Sequence, residues 1–283
     1  MDLLQNPFHI LNATPRDNRA RIIELSQERS LLPDSGDCMQ ACSDLTNPRK
    51  RLAMEVAWLP GLGPKSASDT LAMLENSQSD LLHMDRLTSA ARANLLAAGL
   101  TRLTDSPPDE VATWILELAR ALEDIDPENL CAIINEERTV SGFAEVTDLN
   151  MVEAEIQERR RYYRQVIKSA LDSLPSRELV GAVTAAVESA TNNGEEHGPI
   201  LIHDVVDSYE VEAQAFFEKE ESNIRTLVDD IRSASDAGQP DSVLAPMIDK
   251  LIYVVKNWGS VARPMQISTK SRGLDHAASY QVA

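Results

Sequence analysis

The sequence predicts an all-α protein: a small antiparallel helical module followed by a helical body of bundle or solenoid type. Helix-favouring Ala, Leu, Glu and Arg recur throughout, while only 11 of 283 residues are Gly. Apolar residues repeat at helical spacing, as in Val111, Ile115, Leu118 and Leu122. No alternating apolar and polar stretch is long enough to argue for a sheet.

The elements follow in order. Phe8 and Leu11 share one face of a short helical turn, which Asn12 and Thr14-Pro15 end. Asp17 can cap a second helix that runs to about Leu31. On it, Ala20, Ile23, Gln27 and Leu31 form the expected inward stripe, widened by Ile22 and Leu25. Pro33, Asp34, Ser35 and Gly36 break that helix. A third helix from about Asp37 places Cys38, Ala41, Cys42 and Leu45 at i, i+3, i+4 and i+7. Asn47-Pro48 restarts it, with Asn47 as cap and Pro48 in the first helical position. Leu52, Glu55, Val56 and Leu59 follow on one face.

Phe8-His-Ile-Leu11 and Leu45-Thr-Asn-Pro-Arg-Lys-Arg-Leu52, at this separation, resemble the opening and closing segments of a J-domain. That is the helical module of the DnaJ-type co-chaperones. The resemblance implies a module over 1–64 and a chaperone-type protein partner. In the family, a His-Pro-Asp tripeptide after the long helix stimulates the partner's ATPase. Here the loop reads Leu32, Pro33, Asp34, and an aliphatic side chain cannot make the hydrogen bonds of an imidazole. The family's long helix also presents a basic face. Here the helix carries Arg16, Arg19, Arg21 and Arg29 but also Glu24 and Glu28, and its second half is not basic. The resemblance therefore implies docking through Leu32, Pro33, Asp34, Arg19 and Arg29, without the usual ATPase stimulation.

The module's exit, Leu59-Pro-Gly-Leu-Gly-Pro-Lys-Ser-Ala67, has two readings. It looks like the hairpin of a helix-hairpin-helix motif, in which Gly61, Gly63 and Lys65 would contact a nucleic-acid phosphate. It also reads as a helix end at Gly61 and a restart with Pro64 in the first turn.

The remainder, 65–283, continues as helices. One spans Ser66 to about Asn76, and one or two occupy Ser79 to Leu103 with a break at Asp85-Arg86. Ser106-Pro107-Pro108 and Asp126-Pro127 each open another. Residues 138–148 form a polar junction. A long helix from Leu149 carries Glu155, Glu158, Arg159, Arg160, Arg161 and Arg164 beside Tyr162 and Tyr163; its expected pairs are Glu155–Arg159 and Glu158–Arg161. That Arg run reads as a solvated face or, alternatively, as a phosphate site. Pro175-Ser176 opens a further helix, and Asn192-Asn193-Gly194 closes it. Ile200 to Ser235 is long and acidic, and its length suggests antiparallel packing. Asp241 caps a last helix to about Trp258. Beyond it, Trp258, Ala262, Pro264, Gln266, Ser268, Gly273, Leu274, Asp275, His276 and Ser279 are similar to a block in bacterial helical proteins that also carry J-like modules. There a long helix follows the Ser, so the chain reads as a fragment truncated inside it.

Composition bounds the function. A net charge of −18 supplies no global basic field for nucleic acid or anionic lipid. Cys38, Cys42 and Cys131 make no disulfide framework, which fits a reduced, cytoplasmic setting. No apolar run is long enough to span a membrane. Cys38 and Cys42, one turn apart, lack the further ligands a Zn site needs, and His197 and His203 lack helical metal-pair spacing. With no nucleophile elbow, phosphate loop or dinucleotide fingerprint, no catalytic residue, metal or cofactor is expected. The leading reading is a non-enzymatic adaptor whose module docks a protein while the body supplies a scaffold or homo-oligomer interface. Nucleic-acid association, or a regulatory part of a larger enzyme or membrane protein, are the alternatives.

Overall fold

The computed structural model describes residues 1–31, 37–76, 78–84, 86–103 and 106–279, without side chains at 78, 79 and 275–279. Among the described residues all regular structure is helical, as expected. The chain forms two compact units, Met1–Ser173 and Leu174–Ala283. Residues 1–64, read from the sequence as a module, lie within the first unit, where they share a core with the next hundred or so.

In the first unit a 3-10 turn at Leu3–Gln5 precedes α1 (Pro7–Leu11). Asn6 caps α1 by accepting from the Phe8 N–H at 3.0 Å and donates to the Met54 carbonyl at 2.9 Å. Next come α2 (Arg19–Ser30), α3 (Cys38–Thr46) and α4 (Pro48–Val56). The cap of α2 is Asn18, not Asp17, whose carboxylate instead accepts from the Thr14 N–H and hydroxyl. Asn47 caps α4 with Pro48 in its first turn, as the sequence predicts. Then follow α5 (Pro64–Asn76), α6 (Gln78–Leu81), α7 (Ser89–Leu100) and α8 (Pro108–Glu123). The residue preceding α8 is Pro107, and no side chain caps this helix. α9 (Pro127–Ser141), capped by the Asp126 carboxylate, extends through the start of the expected junction and ends at Gly142 with φ +73°. α10 (Leu149–Asp172) completes the unit.

The centre of this unit is polar. Arg51 on α4 is fully buried. Its Nε donates to Glu55 Oε1 at 2.7 Å, and its Nη atoms donate to the carbonyls of Pro15 (2.7 Å) and Leu45 (3.3 Å). Its guanidinium lies 3.8 Å from the Phe143 ring centroid. Glu55 uses its second oxygen for Arg138 of α9, at 2.7 Å from Nη2 and 2.9 Å from Nε. Arg138 also donates to the Ala144 carbonyl at 2.9 Å. Burial pushes the Arg51 pKa down, and the Glu55 charge opposes that shift. A second tie starts at Asn94 on α7. Its amide donates to the carbonyls of Val56 (2.8 Å) and Trp58 (2.7 Å), and its oxygen accepts from Tyr163 of α10 at 2.7 Å. Aliphatic side chains pack around these ties, and Trp114 of α8 is fully buried. A Cβ at Gly99 would sit 2.4 Å from the Trp114 ring, so α7 passes too close there for any other residue.

Among its described residues the second unit has three helices, α11 (Ser176–Thr191), α12 (Ile200–Asp236) and α13 (Asp241–Ser279). Asn192, Asn193 and Gly194 all take positive φ and turn the chain after α11. α12 and α13 form an antiparallel hairpin about residues 237–240. α13 does not stop near Trp258, as expected, but continues through Pro264 to Ser279. A proline there removes one backbone hydrogen bond, and cross-contacts hold the helix beyond it. Ser268 Oγ lies 2.9 Å from His203 Nδ1, and Ser271 donates to the Glu196 carbonyl at 2.7 Å. Ala262, Pro264 and Ser268 of the C-terminal block are buried; the side chains of Asp275, His276 and Ser279 lie outside the described residues.

Removing Glu55 leaves two buried guanidinium groups without their shared carboxylate. Glu55→Ala is expected to destabilise the first unit by roughly 3–5 kcal/mol, read as a fall in the urea midpoint. A loss below about 1 kcal/mol would mean that the carbonyls and rings suffice to hold Arg51 and Arg138.

Candidate functional site

The hairpin of α2 and α3 is built from one contact face on each helix. Ile22, Leu25 and Ser26 of α2 are buried, as are Cys38, Ala41 and Leu45 of α3, and Ser26 donates to the Cys38 carbonyl at 3.1 Å. This rotates α2 from its expected setting. Ala20, Ile23, Gln27 and Leu31, the stripe expected to face inward, lie on the exposed side. Ile22, Leu25 and Ser26 are the side that packs on α3, where Ser26 also reaches the Cys38 carbonyl, so the fit to α3 sets the rotation. The outer face consequently exposes Ile23 (40%) and Leu31 (87%), and the start of α3 exposes Met39 (80%).

The charges on α2 largely cancel. Arg21 pairs with Glu24 at 3.2 Å and with Glu28 at 3.1 Å, all three exposed. Such pairs add little stability, but they leave the middle of the helix without a basic face. Arg19 is exposed at its start and Arg29 half-buried near its end. Leu32, Pro33 and Asp34 lie outside the described residues.

The turn after α4 is a packed corner. Gly61 has φ +83°, and a Cβ there would meet Thr88 Cγ2 at 2.9 Å. Thr88 donates to the Pro60 carbonyl at 2.8 Å. The Gly61 N–H faces the carboxyl of Glu137, a buried residue of α9, and favours its charged form. The amide that would greet a phosphate therefore already has an acidic neighbour. Gly63 meets no close neighbour, and Lys65 is exposed. Lys65 also lines a groove of about 580 Å³ between α1 and α5, with Phe8, His9, Thr14, Trp58 and Glu75. Burial pushes the His9 pKa down, and Glu75 counters that shift.

Two parts of the site region were not apparent from residue types alone. Arg159 is not on a solvated face. It is buried, donates to the Met1 carbonyl at 2.9 Å, and lies 4.4 Å and 4.9 Å from the ring centroids of Tyr162 and Tyr163. Its place in the series Val152, Ile156, Arg159, Tyr163, Val166 is the signal of an inward position. The expected Glu158–Arg161 pair does form, on the outside. Glu137 likewise falls in step with Leu130, Ile134 and Ser141 on the buried side of α9. Cys38 is buried and Cys42 half-buried, both as free thiols, and no cluster of His, Cys, Asp or Glu among the described residues could hold a metal. No helix among them is long and apolar enough to cross a membrane.

The chain matches no family model, no curated protein and no solved structure.

Glu137 offers a pH test. Burial, the largest influence, pushes its carboxyl from an ordinary 4.5 up to about 7, with Arg16 pulling the other way. A raised folded-state value means that the fold favours the protonated form. The associated stability is complete below about pH 4.5 and is lost as pH rises toward 7, a change on the order of 3 kcal/mol. Glu137→Gln is expected to flatten this dependence, measured as urea midpoints at pH 5 and pH 8. An unchanged slope would move the titration to another group.

Proposed function

We propose that this chain is a non-catalytic adaptor whose N-terminal helices dock a protein partner, with the remaining helices as its scaffold. The observation that carries the reading is the outer face of α2 with the start of α3. Large apolar side chains, Ile23, Leu31 and Met39, stand exposed there on a hairpin anchored by a buried core. The surrounding charges are paired within the helix, so apolar contact rather than a basic field would carry binding. Arg19 and Arg29 would flank that contact, and Leu32, Pro33 and Asp34 follow Leu31 directly in the chain.

The helix order α1, α2, α3, α4, with α1 and α2 both against α3, supports the J-like reading. So do Phe8, Leu11 and Leu45 in its core. Arg51 stands in the closing basic segment and points into the core, where it anchors α4. On this reading the partner is chaperone-like, and Leu32 in place of the family's His removes ATPase stimulation. The nucleic-acid alternative at Gly61, Gly63 and Lys65 is disfavoured by the Glu137 carboxyl at the Gly61 amide.

Ile23→Ser and Met39→Ser are exposed changes, expected to alter stability by less than about 0.5 kcal/mol. Together they are expected to abolish capture of a chaperone ATPase by the immobilised full chain. In the same assay the parent chain is expected to leave the rate of ATP hydrolysis unchanged. Acceleration like that of a standard J-domain would overturn the proposal, as would capture indifferent to both substitutions.

A further inference from the structure

The hairpin of α12 and α13 carries more apolar surface than it covers. On α12, Ala213, Phe217, Ile224, Leu227, Ile231 and Ala234 share a heptad-spaced line that only Glu220 interrupts. On α13, Leu244, Met247, Leu251, Val254, Trp258 and Val261 repeat at spacings of 3, 4, 3, 4 and 3. These lines face each other, as the edge-on packing of Phe217 and Trp258 at 5.5 Å and the bond from Tyr209 to the Val261 carbonyl show. Even so, the α13 line is only half-buried throughout.

A second line lies one residue further round α13: Ala245, Ile248, Ile252, Val255, Gly259 and Ala262, again at spacings of 3, 4, 3, 4 and 3. Ala262 is buried, but Ile248, Ile252 and Val255 remain 42%, 44% and 47% exposed. A single exposed apolar residue needs no explanation, whereas a register maintained over about four turns does.

The order of residues within this line identifies what covers it. Read outward from Ile252, it is nearly the same in both directions: Ile248 mirrors Val255, and Ala245 mirrors Gly259. The charges obey the same symmetry with opposite sign. Asp249 and Lys256 share one edge of the line, on either side of Ile252. An antiparallel second copy would set large residues against large at the middle and small against small at the ends, and each Asp249 against the other chain's Lys256. A self-complementary patch of this kind is what a two-fold interface requires. We infer that the 245–259 face of α13 is a homodimer interface, with the two-fold axis at Ile252 and the two hairpins forming a four-helix arrangement. This deepens the scaffold role proposed above and is independent of the docking face on α2.

Sedimentation of the full chain across concentration tests it. A line of about four turns is a small interface, so monomer is expected at low concentration and dimer above roughly 10 µM. Ile252→Glu, which opposes two carboxylates at the axis, is expected to leave a monomer of unchanged helicity by circular dichroism. Asp249→Lys sets like charges across the axis and is expected to weaken the dimer by about tenfold. Adding Lys256→Asp to it is expected to restore the parent affinity. A parent chain monomeric up to a few hundred micromolar would overturn the inference, even if another protein bound this face. So would a dimer indifferent to Ile252→Glu, or a double charge reversal that fails to rescue. Failure of the parent chain to capture the ATPase, with the dimer intact, would count against the docking role alone.

Discussion

The first unit depends on satisfying one buried guanidinium. Arg51 sits where α4 meets α1 and the loops before α2 and after α9, too deep for water to solvate it. A charge in that position is tolerable only if surrounding groups replace its hydration. Glu55 supplies the countercharge, the Pro15 and Leu45 carbonyls take the remaining N–H groups, and Phe143 covers one face. Because Glu55 also holds Arg138, the position of α9 relative to α4 follows from the same carboxylate. Two guanidinium groups against one carboxylate leave the cluster net positive. Glu137, one residue before Arg138, is buried nearby, with its carboxyl held in the neutral-pH range.

Asn94 extends this polar organisation to α7 and α10. It donates to the carbonyl of Val56, the last residue of α4, and to that of Trp58 just beyond, and it orients the Tyr163 hydroxyl. Polar groups at the centre of a helical unit favour one arrangement over its alternatives, since each must find its partner before burial is tolerable. They also explain why residues 1–64 do not form a separate compact unit: α4 has its end groups and its charge partner on α7 and α9. The outer face of α2 is free to carry apolar residues because none of these ties reaches it.

The second unit solves burial differently. Three helices surround the buried residues near Val183, Val187, Leu201 and Val205, where Ser268, Ser271 and His203 add cross-links. Toward the hairpin turn two helices remain, and two helices cannot enclose a seam, so Leu244, Met247 and Leu251 stay half-exposed. The second apolar line of α13 lies along this part.

The amino-acid sequence by itself determined the helical class, the caps at Asn47 and Asp126, the chain reversal at Asn192–Gly194 and the α12–α13 turn. These are local matters, decided by backbone propensity and side-chain hydrogen bonds within a few residues. It could also show that Glu55, Arg138 and Arg159 fall in step with apolar neighbours, though not which groups would meet them. Tertiary structure alone decided the rotation of α2, which put Ile23 and Leu31 outside and Ile22 and Leu25 inside. It likewise decided the burial of Arg51, the pairing of Glu55 with a residue 83 positions away and the passage of α13 through Pro264. Each of these rests on contacts between distant segments, where the gain from burying one face or satisfying one charge outweighs local preference.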